Sequence, residues 1–260
     1  MRMGLLKSGG WVVLLVLLHA SGAAAQIVNV QALFDEKAEL GPAAAIELGG
    51  DWRTGSTQLF SIRGSLVGQL RSERNVWLGV IRGEYSFATG ERIVSQVMEH
   101  VRYRRRFTDR VSGEVFAQHE YNEFRRLQFR ALLGAGPRFV LFNEESTGLT
   151  FGVALMVEHE RLRKDGEPDA GDRYTDPRVS SYLLGRVKLM ENINLVETIY
   201  LQPRVTRPSD LRVLNETLFA VTPNPRVTVG IGFNLTYDSA PPATVPPLDT
   251  QVRTTVGVKL

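Results

Sequence analysis

The chain has 260 residues, 43% of them hydrophobic and 23% charged, with a formal charge of +3. This apolar content excludes a disordered chain, and the length suits one large domain or two small ones. With no cysteine, disulfides, thiolate metal sites and a lipid-anchor cysteine are excluded, and so small a net charge argues against nucleic acid as a partner.

Arg2 and Lys7 precede an apolar run from Trp11 to Leu18, and the small residues from Ala20 to Ala25 supply an Ala23-x-Ala25 site ahead of Gln26. The pattern predicts a secretory signal peptide over residues 1–25. The run is too short for a membrane anchor, which needs ~20 apolar residues. Its removal takes two basic residues and leaves 29 Lys plus Arg against 28 Asp plus Glu. Residues 26–42 form an N-terminal arm without a readable pattern.

From Ala43 a period of two takes over and predicts strands at 43–53, 57–70, 74–88, 91–106, 110–121, 126–142, 148–162, 174–190, 193–206, 209–222, 225–239 and 249–260. No helix of three turns interrupts them. In the third strand Trp77, Ile81, Tyr85 and Phe87 alternate with Val80, Arg82, Glu84 and Ser86. The sixth sets Phe129, Leu133 and Leu141 against Arg130 and Arg138, and the seventh sets Phe151, Val153, Leu155 and Val157 against Thr150, Gly152 and Glu158. VTVGIGFNLTYD, Val227 to Asp238, repeats the pattern. One face of each ribbon is large and apolar; the other is small, polar or charged.

Strands in soluble proteins usually run about five or six residues, whereas a tilted membrane strand needs about nine to eleven. These are long strands. A closed barrel of about twelve is also wider than the eight-stranded case that side chains can fill. Residues 43–260 are therefore expected to form an all-β, closed antiparallel transmembrane β-barrel of about twelve strands, apolar side to lipid and polar side inward. Short turns such as FTDR and NEES alternate with longer connections, and the two longest, Arg161–Arg178 and Ser239–Asp249, fall at the same end. Phe60, Trp77, Phe87, Tyr103, Phe139 and Tyr237 are candidates for an interfacial girdle.

The stretch YRRRFTDRVSGEVFAQHEYNEFRRLQFRALLGAGPRFVLF, Tyr103 to Phe142, carries the tight turn FTDR, the acidic-aromatic tip EYNEF, Arg130 on the next strand, and the glycines Gly134 and Gly136. Upstream, ELGGDWRTGSTQ has Ser56 where an asparagine is more usual. Together these resemble the salt-induced outer-membrane protein family, also called domain of unknown function 481, over residues 43–260. The family tends to place an aromatic after the glycine pair, where this chain has Pro137 and Arg138. The resemblance implies an outer-membrane barrel and brings no activity, cofactor or functional residue with it.

The candidate site is the set of charges on the inward face. Pairing strands about FTDR brings Arg102 to Glu114, and pairing about YNEF brings Glu120 to Arg126. Arg63, Arg82, Glu84, Arg104, Arg130, Arg138, Glu158, Arg186, Lys188, Arg212, Glu216 and Arg226 share the inward face, as do Arg253 and Lys259. Cross-strand pairs of opposite charge contribute roughly 0.2 to 1 kcal/mol each, so the plain role is structural. A wet bore with more bases than acids would instead favour small anions.

Two other chemistries fit less well. His119 and His159 have Glu120, Glu158 and Glu160 beside them in sequence, but neighbours on a strand face opposite ways and no serine stands in relation to either. Asp165, Glu167, Asp169, Asp172 and Asp176 would suit Ca²⁺ or Mg²⁺, yet Arg161, Arg163, Lys164, Arg173 and Arg178 make a charge-balanced surface loop the simpler reading. The expectation is a monomeric, non-enzymatic protein of the outer membrane without a cofactor, either structural or a narrow passive channel. Its partners would be the lipid bilayer, lipopolysaccharide and the barrel-assembly machinery. The rivals are a periplasmic β-barrel or sandwich that binds a ligand, and an outer-membrane lipid hydrolase.

Overall fold

The computed structural model describes residues 40–56, 58–224 and 227–258. The expected signal peptide and nearly all of the arm lie outside these residues, as do Arg226 and Lys259. Twelve strands are described: β1 Gly41–Arg53, β2 Leu59–Arg71, β3 Asn75–Ala88, β4 Glu91–Arg106, β5 Val111–Asn122, β6 Leu127–Asn143, β7 Thr147–Leu162, β8 Arg173–Met190, β9 Ile193–Arg204, β10 Arg207–Asn224, β11 Val227–Asp238 and β12 Leu248–Val258. Each pairs antiparallel with its sequence neighbours in one meander from β1 to β12. No pairing of β1 with β12 occurs among the described residues.

Alternating side chains account for the long strands, because every second residue needs the same surroundings and β-branched residues suit a pleated surface. Connections 72–74, 107–110, 144–146 and 191–192 lie at one end, called the turn end; 89–90, 123–126, 205–206 and the long loops 163–172 and 239–247 lie at the other, the loop end. The two longest connections share an end, as expected. Thr89 and Gly90 both have positive φ, the backbone of the two-residue hairpin turn that follows the twist of its strands.

The sheet is rolled. On a flat sheet, strands three apart lie about 14 Å from one another, yet the Tyr182 hydroxyl on β8 donates to Glu114 on β5 at 3.1 Å. Arg212 on β10 likewise bonds Glu158 on β7. Two glycines make the roll possible. A Cβ on Gly152 would fall 2.2 Å from the Tyr182 ring, and one on Gly136 would fall 2.0 Å from the Val153 carbonyl oxygen. The first glycine yields space to a side chain and the second to a backbone.

Faces sort as the alternation requires. Leu133 and Leu155 are 62% and 63% exposed on the outer face, whereas Arg130 and Arg178 are 1% exposed within. The interior is not wholly polar. Leu78, Val80 and Met98 cluster on β3 and β4 with Val67 and Val76 against them, and Tyr182, Leu184, Tyr200 and Leu214 cluster on β8 to β10.

Candidate functional site

The inward charges gather in two groups at different heights. The group nearer the turn end is built on Glu114 of β5. One of its oxygens accepts from Arg102 at 2.9 Å and from the Tyr182 hydroxyl at 3.1 Å, and the other accepts from Arg104 at 2.8 Å. Arg102 sits over the Phe116 ring, 4.8 Å from its centroid, and its Nε donates to His100 Nε2 at 3.4 Å. Arg138, also buried, lies within electrostatic reach of the same carboxylate. Three guanidiniums thus surround one glutamate.

Nearer the loop end, Glu158 of β7 takes Arg130 at 2.8 Å, Arg178 at 3.3 Å and Arg212. Glu120 and Glu160 pair with Arg130 at 3.3 and 3.2 Å. Asp210 pairs with Arg178 at 2.8 Å and Arg204 at 3.1 Å, and Asp238 pairs with Arg212 at 2.8 Å. Arg207 also pairs with Asp210 at 3.1 Å and Arg204 with Asp176 at 2.7 Å, so five guanidiniums meet six carboxylates at ion-pair distances. Such pairs hold only when nearly every lone pair and proton is matched, and here seven strands, β5 to β11, supply the partners.

Arg126 departs from the expectation. β5 and β6 keep one register from the Val111–Phe139 pair to the Glu120–Arg130 pair, so Glu120 faces Arg130 and not Arg126, and the ladder slips only beyond that pair, where Asn122 meets Leu127. Residues 123–126 form a turn closed by the Arg126 amide donating to the Glu123 carbonyl at 3.0 Å, which leaves Arg126 at φ 59. Its guanidinium binds both oxygens of Asp165 at 2.8 Å, together with Asp169 and, at 2.7 Å, the Ala243 carbonyl. The Ala243 amide donates to Asp169 at 2.8 Å. One arginine thereby ties the turn to both long loops. The hydrogen bonds from Arg126 outweigh partial burial and hold the Asp165 carboxyl down at about 2.

The remaining candidates stand apart from both groups. Arg63 is exposed beside Asp51 at 3.6 Å, Glu84 accepts from Gln96 at 3.1 Å, and Lys188 pairs with Glu191 at 3.0 Å. Arg82, Arg186 and Glu216 are half-buried, and Arg226 lies outside the described residues. Arg178, expected to balance the loop carboxylates, points into the interior instead. Of those carboxylates, Asp165 and Asp169 serve Arg126, Asp172 accepts from Tyr174 at 2.8 Å and Asp176 pairs with Arg204 at 2.7 Å. His119 and His159 lie on the outer face on either side of the Phe129 ring, at 4.9 and 6.2 Å.

Sequence reasoning left Glu160, Arg178, Tyr182, Asp210 and Asp238 out of the inward set. Each shares parity with an inward residue on its own strand: Glu160 with Glu158, Arg178 and Tyr182 with Leu184, Asp210 with Arg212, and Asp238 with Thr236. Parity carried to the strand ends was the missing signal.

A family model described as protein of unknown function, DUF481, matches residues 46–260. No curated protein matches the chain. Among solved structures, the NanC porin in a rhombohedral crystal form is similar with a TM-score of 0.50 at 11% identity, covering 84% of this chain and 99% of that one. The translocator domain of the autotransporter NalP from Neisseria meningitidis gives 0.45 at 9% identity, covering 86% and 90%. At 11% identity the first likeness speaks for the fold alone.

Proposed function

The chain belongs to the family of proteins of unknown function DUF481, and from that premise we propose that it is a structural β-barrel of a Gram-negative outer membrane, closed from β12 back to β1 and without catalytic activity. The observation that carries this reading is the reversed polarity of the sheet: Arg130, Arg178 and Glu158 are sealed inside while leucine, isoleucine and tryptophan face out. Water would not choose that arrangement, but hydrocarbon would.

The aromatic positions support it. Trp77 and Tyr103 pack at 4.6 Å near the turn end, and Phe60 and Phe87 are partners in register near the loop end. Ten residues at about 3.3 Å each, tilted near 40°, separate Trp77 from Phe87 by roughly 25 Å, the height of an outer-membrane apolar band. The loop end then faces outward towards lipopolysaccharide and the turn end faces the periplasm.

A structural role fits better than passage of solute because ion pairs cross the middle of the roll from β5 to β11. The space among His100, Arg102, Phe116, Arg130, Tyr200 and Gln202 is only about 20 Å³, room for about one water. Purified protein in planar bilayers is expected to give no steady conductance steps. Reproducible open levels would replace this reading with the narrow channel. Extraction from cells without detergent would instead support a periplasmic binder.

A further inference from the structure

The two interior groups differ in charge balance, and the difference has a place to act. At the loop end the charges balance, because Arg125, Arg130, Arg178, Arg204, Arg207 and Arg212 stand against Glu120, Glu158, Glu160, Asp176, Asp210 and Asp238, whereas at the turn end Arg102, Arg104 and Arg138 share Glu114. Buried charge of one sign is unfavourable unless something of the other sign lies within reach. Directly beyond Arg104 and Arg138 the bore opens into a cavity of about 550 Å³, within the size range of small-molecule sites.

Its walls continue the excess. Arg71, Arg74, Arg104, Arg106, Arg110 and Arg138 line it, against only Glu73, Asp109 and Glu144 among its acidic side chains. The floor is rigid. Arg104, Ser112 and Arg138 are buried there, Arg104 held by Glu114 at 2.8 Å. The rim is braced where Arg106 donates to the Glu73 carbonyl at 2.8 Å and its amide to the Arg74 carbonyl at 2.7 Å. Guanidiniums fixed at several angles suit an anion with several oxygens, because each planar fork takes two of them.

We propose that this turn-end vestibule is a binding site for a small polyvalent anion of the phosphate class. Ser112 on the floor adds a hydroxyl donor. Closed by ion pairs on its inner side, the site is a pocket entered from one direction. Its occupant arrives as a free phosphate compound or as a lipid headgroup.

Titration calorimetry of the full chain in a non-ionic detergent, with inorganic pyrophosphate as probe, tests the site. Saturable binding that weakens as salt is added is expected. Arg138→Gln should weaken it about tenfold and exposed Arg106→Gln about threefold, the loss of one charged contact in each case. Arg173→Gln, at the loop end, should leave it unchanged. Should Arg138→Gln not fold, Arg106→Gln still gives the result. Absence of saturable heat, or wild-type affinity in Arg106→Gln, would overturn the proposal. Displacement of pyrophosphate by phosphatidylglycerol in mixed micelles supports the site with a lipid as its source, and retention supports it with a soluble compound. Binding is read without any current across a bilayer, so the site stands or falls separately from the structural role.

Discussion

Glu158 shows how a single residue holds this interior together. Three guanidiniums converge on it from β6, β8 and β10, so it joins strands that the backbone ladder does not pair. Glu158→Gln keeps the shape and removes the charge, leaving buried arginines short of a counter-ion. Breaking such a pair from one side costs about 3 to 5 kcal/mol. The variant is therefore expected to unfold at markedly lower urea concentration, or at lower temperature on a heat-modifiable gel, than the parent. Glu191→Gln at the exposed Lys188 contact should behave as the parent does, since surface pairs contribute little. The inward direction of Glu158 was legible in the sequence, because it alternates with Leu155 and Val157. Its partners were not: parity names the face a residue occupies but carries no information on how far the sheet rolls. Arg212 meets Glu158 across three strands, and only the curvature brings them together.

Strands were the most readable elements and the loops the least. A two-residue period depends on local backbone geometry alone, and β4 occupies 91–106 just as the alternation predicts. Arg126 illustrates the opposite case. Extending the period across YNEF placed it on a strand, whereas the turn leaves it at φ 59 and the loops supply its partners. Those partners make the loop contact dependent on pH. The Asp165 carboxyl is held down at about 2 by hydrogen bonds from Arg126, below the unfolded value of about 3.9. A depressed carboxyl stabilises the folded form above its unfolded pKa and ceases to do so as pH falls through the folded one. Hydrogen exchange in segment 163–172, corrected for intrinsic rate, should hold steady from pH 7 to about 4 and accelerate towards pH 2. In Arg126→Ala the same segment should exchange rapidly at neutral pH, and trypsin should cut after Lys164 sooner. Unchanged protection in that variant would show that the loops hold each other without the arginine.

At the scale of the whole molecule, the question is what the two outermost strands do. β1 runs 13 residues and β12 runs 11, and each has one edge engaged by its neighbour, β2 or β11. In hydrocarbon every unsatisfied backbone N–H or C=O costs several kcal/mol, so two free edges of this length would undo whatever the ion pairs contribute. Joining β1 to β12 satisfies both edges at once and makes the roll a barrel. β1 runs from the turn end to the loop end and β12 runs back, so their union would be antiparallel like every pairing in the described sheet. The chain has no cysteine, so an engineered pair can report this union against a clean background. Leu48 faces outward on β1, and Thr250, Val252 and Thr254 are exposed on β12. Leu48→Cys combined in turn with cysteine at 250, 252 or 254 brackets the register. Oxidation should close a disulfide in at least one combination, because bonded cysteines need Cα atoms about 4.4 to 6.8 Å apart, a separation that adjacent strands provide and free edges do not. The cross-linked form should also keep its faster gel mobility after heating that unfolds the parent. Failure of all three combinations to cross-link would mean an open sheet, and with it the loss of the membrane-spanning reading.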